Sequence, residues 1–222
     1  MSFLLPFAQF TYSKTDIFQL LLVTFYKVFL SYCFFLCIMI HFVKRYYLIP
    51  IISKNKKKEQ QNMYREHEYY LKRCIEVSKT SREHGNTPFG AILVDEDGNI
   101  LLEQENVEIS THKSTGHAET QLAEKASTMY SKDFLWKCTL YTTAEPCAMC
   151  AGCIYWSNIG RVVYAMTEKD LLSLTGSDEQ NPTFDLPCRD VFARGQKDIR
   201  VIGPFPELAP LAAEVHRGFW NK

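Results

Sequence analysis

The feature that most constrains this chain is a spaced pair of short motifs. His117-Ala118-Glu119 is followed by Pro146-Cys147-Ala148-Met149-Cys150, with Cys147 thirty residues beyond His117. Either half alone carries little, since Cys-x-x-Cys also describes a redox pair and His-x-Glu occurs by chance. Together they supply one nitrogen and two sulfur donors, a set suited to tetrahedral zinc with a fourth position open to water. Cys147 and Cys150 fall at the start of an expected helix, three residues apart and so on one face. The electropositive helix end favours their thiolates, and Pro146 suits a helix start, where no N–H is needed. Glu119, two residues from a ligand, can reach the open position as a proton carrier without binding the metal. The alternative is a closed structural site with Cys153 as fourth ligand and Glu119 as a surface carboxylate.

The remaining cysteines fit that reading. The chain has eight, an even count that invites disulfides. Its length of 222 residues, 46% hydrophobic content and Cys-x-x-Cys spacing argue instead for a reducing compartment with some cysteines on metal.

Charge divides the chain. The formal net charge is zero, yet residues 1–62 carry +6 and residues 63–222 carry −6. The first part, 1–52, holds an apolar run at 17–43 long enough to span a bilayer, with Lys27 as its one charge. The basic flank after it, Lys44, Arg45, Lys54 and Lys56–Lys58, places the C-terminal side of the run in the cytosol by the positive-inside rule. A signal peptide fits poorly, because Met1 has no basic residues near it and the run is too long. Residues 53–62 form a basic linker. Met63 directly precedes the next helix, so translation starting there would leave a cytoplasmic protein with no anchor.

From 63 to 222 the pattern alternates. An amphipathic helix is expected over about 64–83, ended by Gly85-Asn86-Thr87-Pro88. A hairpin comes next, 89–94 and 100–104, around Asp95-Glu96-Asp97-Gly98-Asn99. Then come helix 116–125, strand 138–142, helix 148–156, strand 162–165, strand 199–202 and helix 208–219. This order predicts a mixed sheet with helices on both faces.

Gly116-His117-Ala118-Glu119 and Glu145–Trp156 (EPCAMCAGCIYW) resemble the cytidine/deoxycytidylate deaminase superfamily. Within it, the chain is most similar to the guanine deaminase and tRNA adenosine deaminase branch. TPFGAILV at 87–94 and IGRVVYA at 159–165 extend the likeness, which covers about 63–180 and fades afterwards. The resemblance implies an α/β protein of three-layer α/β/α architecture with a five-stranded mixed sheet. It implies one Zn2+ per subunit on His117, Cys147 and Cys150, Glu119 as proton shuttle, and a homodimer. The implied reaction is hydrolytic deamination of a nucleobase or nucleoside, amino to oxo with release of ammonia.

For the substrate, Tyr155-Trp156 stand as in guanine deaminases of this fold, and a second acid is expected 28–30 positions past the last zinc cysteine, where Asp178 and Glu179 lie. Phe89, Asn106, Ala118 and Trp156 complete the expected substrate-contacting set. A guanine-type ring is therefore favoured, with a tRNA adenosine or a cytosine/cytidine substrate as alternatives. The acidic balance of 63–222 disfavours RNA, which calls for a basic face. A non-catalytic zinc module tethered to a membrane is the other class of reading, and retention of Glu119 argues against it. The segment after 180 matches nothing in the branch; His216, Arg217, Phe219 and Trp220 are candidates for a lid there and Cys188 for a wall.

Overall fold

The structure, a computed structural model, describes residues 49–176 and 178–220 together with a few isolated positions before residue 46. It comprises two compact units, Met1–Gln61 and Asn62–Lys222. The expected membrane segment at 17–43 lies outside the described residues but for isolated positions. Among the described residues no helix is long and apolar enough to cross a membrane.

Helix α1, Ile49–Glu83, starts earlier than the periodicity predicts, and the run 53–62 is helical, not an irregular linker. Its Lys, Glu and Gln residues are good helix formers, and they override the lack of an apolar stripe. The end falls where expected. Gly85 adopts φ +83°, and the Asn86 N–H donates to Ser81 O (2.9 Å) while the Gly85 N–H donates to Arg82 O (3.0 Å). This paired closure is a Schellman motif, which needs a left-handed residue at the position glycine holds. Tyr70, Leu71, Cys74 and Ile75 bury the apolar stripe.

Five strands come after it: β1 (Gly90–Val94), β2 (Ile100–Glu105), β3 (Thr139–Ala144), β4 (Arg161–Met166) and β5 (Arg200–Ile202). Their order in the sheet is β2-β1-β3-β4-β5. β1 pairs antiparallel with β2 and β3, while β3–β4 and β4–β5 are parallel. The parallel half requires crossover connections. These are α5 (Ala148–Ser157) between β3 and β4, and α6 (Glu168–Thr175) with α7 (Cys188–Ala193) between β4 and β5. Between β2 and β3 lie α2 (Glu108–Thr111), α3 (Ala118–Met129) and α4 (Lys132–Lys137).

Every residue of β1 is buried, because helices cover both faces of the sheet. Ala91 and Leu93 pack with Leu122, Ala123 and Ala126 of α3, Ile154 of α5 and Phe192 of α7. Ile92 and Val94 pack on the other face with α1, with Leu171 of α6 and with Ala212 of α8 (Ala209–Glu214). This is the expected α/β arrangement with a five-stranded mixed sheet. Gly90 sits where β1 passes under α1: a Cβ there would lie 2.6 Å from Cys74 O and 2.7 Å from Ser78 N.

The last helix is shorter than the 208–219 expected, ending at Glu214. The turn after it packs inward, not outward: Arg82 Nη1 donates to Val215 O (2.6 Å) and to Arg217 O (2.9 Å), and His216 is 2% exposed. Trp220 Nε1 donates to His216 Nδ1 (3.1 Å), and the two rings stack. Burial holds the His216 imidazole down to about 4.

A base with a lowered folded pKa leaves the unfolded chain to take up the proton first, so its share of stability is complete above pH 6.5 and declines as pH falls toward 4. Urea unfolding at pH 7 and pH 5 should show wild type losing about 2 kcal/mol more than His216→Phe over that interval. Equal losses in the two proteins would mean that His216 is not held neutral by burial.

Candidate active site

Three metal donors converge at two helix starts. His117 has extended backbone (φ −63°, ψ 143°) and is the N-cap of α3, so the helix begins one residue after it and not at Gly116. Cys147 is the N-cap of α5, delivered there by β3 through Glu145-Pro146. Cys150 lies one turn into α5 and is 1% exposed. His117 Nδ1 stands 3.7 Å from Cys147 Sγ and 3.6 Å from Cys150 Sγ, and all three ligand atoms fall within 4.8 Å of one another. Zn–N near 2.0 Å and Zn–S near 2.3 Å at tetrahedral angles require N···S edges of about 3.6 Å. The triad therefore has the size and donor chemistry of a three-ligand zinc face, and Zn2+ is the metal it holds. Cys153 is not one of these donors; its Sγ faces Thr120 O at 3.8 Å.

The cleft over the donors is lined by Phe89, Asn106, His117, Glu119, Ala144, Glu145, Cys147, Cys150, Glu168, Leu171 and Asn181 and encloses about 30 Å³. That is room for a water molecule or two. Glu119, in the first turn of α3, is 5% exposed. Thr142 Oγ1 of β3 donates to its Oε1 (2.5 Å), and the Cys150 thiol lies 3.6 Å from its Oε2. Burial pushes the Glu119 carboxyl above the usual range, against the Thr142 hydrogen bond. A buried carboxyl beside the open side of the metal donors is placed to exchange a proton with a molecule in the cleft.

In the metal-free triad the hydrogen bond to Cys147 raises His117 to about 9, while hydrogen bonds from Cys150 and then His117 pull the Cys147 thiol down against its burial. A metal ion must displace the protons held by His117 and Cys150.

Six expected residues thus come together: His117, Glu119, Cys147, Cys150, Phe89 and Asn106. Asn106 is 1% exposed, and its Oδ1 accepts from the Glu108 N–H (2.8 Å). That bond leaves the amide NH2 as the group it offers to a ligand. Phe89 backs onto His216, ring centroids 5.1 Å apart, so the C-terminal turn braces the cleft from behind. Ala118 is buried between His117 and Glu119 in the chain, in the core beneath α3.

Three expected residues are elsewhere. Trp156 is 76% exposed, because six residues past Cys150 is about 240° around the helix, on its outer face. Asp178 and Glu179 lie in a turn after α6, where Asp178 Oδ1 accepts from the Gln180 N–H (3.0 Å) and Glu179 is exposed. The residue of that turn that reaches the cleft is Asn181.

Two further buried carboxyls are not among the site residues expected from the sequence. Glu145 is 7% exposed; its Oε1 accepts from the Cys188 N–H (3.1 Å) and its Oε2 from the Glu168 N–H (3.4 Å). It ties the starts of α6 and α7 to the loop that carries Cys147. Cys188 is buried against this tie, in the core and not in the cleft lining. Glu168, 8% exposed, is raised to about 7 by burial and then by the charges of Cys147 and Glu119, against the opposing pull of the Phe184 backbone. Its signal is positional: it directly follows a parallel strand, and ligands of α/β sheets bind at the carboxyl ends of such strands.

The chain matches the cytidine and deoxycytidylate deaminase zinc-binding region over residues 64–166. It is 38% identical over 152 residues to a probable cytosine deaminase of Schizosaccharomyces pombe, covering 68% of this chain and 91% of that protein. Guanine deaminase of Bacillus subtilis is 38% identical over 105 residues (47% of this chain, 67% of the relative). The tRNA-specific adenosine deaminase of the same organism is 36% identical over 97 residues (44% and 60%). The solved guanine deaminase of Nitrosomonas europaea shares the fold, at TM-score 0.55 and 21% identity over 68% of this chain and 82% of that one. The protein belongs to the cytidine and deoxycytidylate deaminase family, whose members are zinc-dependent enzymes that replace an amino group by an oxo group.

Because zinc and protons compete for the three donors, apparent zinc affinity should rise steeply with pH, with more than one proton released per ion. Chelator competition at several pH values, with proton uptake followed by calorimetry in two buffers, measures this. Cys147→Ser should lower bound zinc in elemental analysis by at least about 10-fold, given the weaker oxygen donor.

Proposed function

We propose that the protein is a hydrolytic deaminase of a small free nucleobase, with a cytosine-type ring as its substrate. The observation that carries the reading is Glu119: a buried carboxyl held by Thr142 beside three metal donors, at the floor of a narrow cleft. Zinc, when bound, supplies the lowered pKa of a water molecule. The chain's own groups do the rest. Glu119 takes the water's proton and returns it to the ring nitrogen beside the amino carbon, then to the departing nitrogen. Phe89 presents an aromatic wall to the ring, and Asn106 offers its NH2 to a ring carbonyl. Burial of these groups keeps bulk water from the reacting carbon.

One observation supports the smaller ring: the relative named a probable cytosine deaminase matches well beyond the motif, over 91% of its length. The purine reading rests on Trp156 and on Asp178 or Glu179, none of which lines the cleft. It keeps some support from the Tyr155-Trp156 sequence and from the likeness to the Bacillus enzyme, so guanine is the second reading. A tRNA substrate is disfavoured by the net charge of −6 over residues 63–222, which works against phosphate binding.

Ammonia release from cytosine, cytidine, guanine, guanosine, adenine and adenosine in a single panel tests the proposal. Activity highest on cytosine is expected, and activity confined to adenosine in tRNA stem-loops would overturn it. Glu119→Gln should lower kcat at least about 1,000-fold while zinc content stays at the wild-type level. Turnover that survives the substitution would remove Glu119 from the mechanism.

A further inference from the structure

The zinc cleft lies at the carboxyl ends of the parallel strands, where Ala144 closes β3 and Glu168 follows β4. A second cavity, of about 130 Å³, lies at their amino ends. Thr139, Arg161 and Arg200, the first residues of β3, β4 and β5, line it. Arg161 and Arg200 are register partners on adjacent parallel strands, so their side chains leave strands only about 4.8 Å apart. Like charges placed side by side in a sheet cost stability. Among the described residues no ion pair takes up either guanidinium. Arg161 Nη2 donates to Lys137 O (2.8 Å), which leaves most of its five N–H donors over. Acids of the lining are engaged elsewhere. Asp95 accepts from the backbone N–H groups of Asp97 (3.0 Å) and Asn99 (2.8 Å) and from the Asn99 side chain (3.0 Å), while Glu96 Oε1 accepts from Lys137 Nζ (2.9 Å). Glu66 also lines the cavity and is exposed. His67 of α1 completes the polar set. Burial lowers its imidazole from the usual range, with Glu66 opposing and Arg200 and Arg161 adding to the effect, so the ring is neutral at pH 7. With the Tyr141 hydroxyl donating to Nδ1 (2.9 Å), the ring proton sits on Nε2, a buried atom without a partner. A buried donor left unpaired costs stability.

We propose that this cavity is a binding site for a phosphate group, either the free ion or the head of a small phosphomonoester, held by Arg161 and Arg200 with His67 as a further donor. A phosphate carries nearly two negative charges at neutral pH, which matches two adjacent guanidinium groups, and the planar forks of arginine fit its oxygens two at a time. A carboxylate would offset only one of the two charges. The volume is below the roughly 300–1,000 Å³ of clefts that take a drug-sized ligand, so the head group is what the cavity encloses. No bond is made or broken here. The site stands apart from the zinc cleft and does not depend on which ring that cleft takes.

Calorimetric titration of the zinc-loaded full chain with inorganic phosphate, ribose 5-phosphate and acetate, at constant ionic strength, tests the site. Phosphate is expected to bind saturably, one ion per chain, with acetate at least about 10-fold weaker. Arg200→Gln, at an exposed position, should weaken phosphate at least about 10-fold through the loss of charge-assisted hydrogen bonds, with zinc content unchanged. Arg194→Gln removes the same charge from an exposed position outside the cavity and should leave the affinity within about 2-fold of wild type. Ribose 5-phosphate binding as tightly as phosphate assigns the site to an ester head group, and binding of phosphate alone assigns it to the free ion; either supports the proposal. Phosphate held equally well by wild type and Arg200→Gln, as it would be if it bound at the zinc, overturns it. So do equal losses in Arg200→Gln and Arg194→Gln, acetate as tight as phosphate, or no saturable binding. If Arg200→Gln does not fold, Arg200→Lys, which keeps the charge and loses the fork, must weaken phosphate while Arg194→Lys does not.

Discussion

The site depends on two helix starts being held within a zinc ion's reach of each other. His117 and Cys147 are both N-caps, so their side chains leave from the ends of α3 and α5 and not from the helix flanks. The helices pack through small and branched residues, Ala118, Leu122, Ala123 and Ala126 from one and Ala151 and Ile154 from the other. Alanine at the contact lets the axes approach closely. The positive ends of both helices then face the same space, which suits thiolate ligands and Glu119 alike. Donor separations of 3.6 and 3.7 Å result from this packing, and zinc locks what the apolar contacts have already arranged.

A buried acid organises the opposite wall. Glu145 accepts from the first N–H groups of α6 and α7, so one carboxylate anchors two chain segments against the zinc loop. Behind Phe89, the His216–Trp220 stack and the Arg82 clamp fasten the C-terminal turn to α1. The cleft is narrow because groups from far apart in the chain are pinned to its rim, not because one loop covers it.

Elements with strong local signals are legible in the sequence. Helix α1's end, the β1–β2 hairpin, β3, α5 and β4 all fall within a few residues of expectation, since Gly85, the Asp95–Asn99 turn and the Cys-x-x-Cys helix start are local chemistry. The basic run at 53–62 reads as a linker and is a helix, because periodicity reports burial and a helix can form without burying a face. Asp178 and Glu179 lie beyond the end of α6 and neither lines the cleft, because α6 occupies the intervening chain and carries it past; Glu168, in that helix's first turn, does line it. Trp156, read from its neighbour in sequence, is turned outward by the helix that carries Cys150.

The opening motif on its own determined the metal and its His/Cys/Cys donor set, because zinc chemistry demands those atoms within reach of one ion and almost any fold that binds zinc through them must bring them together. The hydrophobic pattern likewise determined a sheet buried on both faces. The sequence points to Phe89 and Asn106; that Glu168 and Asn181 line the same cleft was decided only by tertiary structure. These four residues come from four separate stretches of chain, and their meeting depends on the parallel crossover from β4, the turn after α6 and the brace from the C-terminus. Local spacing cannot encode such a meeting, since each of those residues is placed by packing against partners distant in the chain.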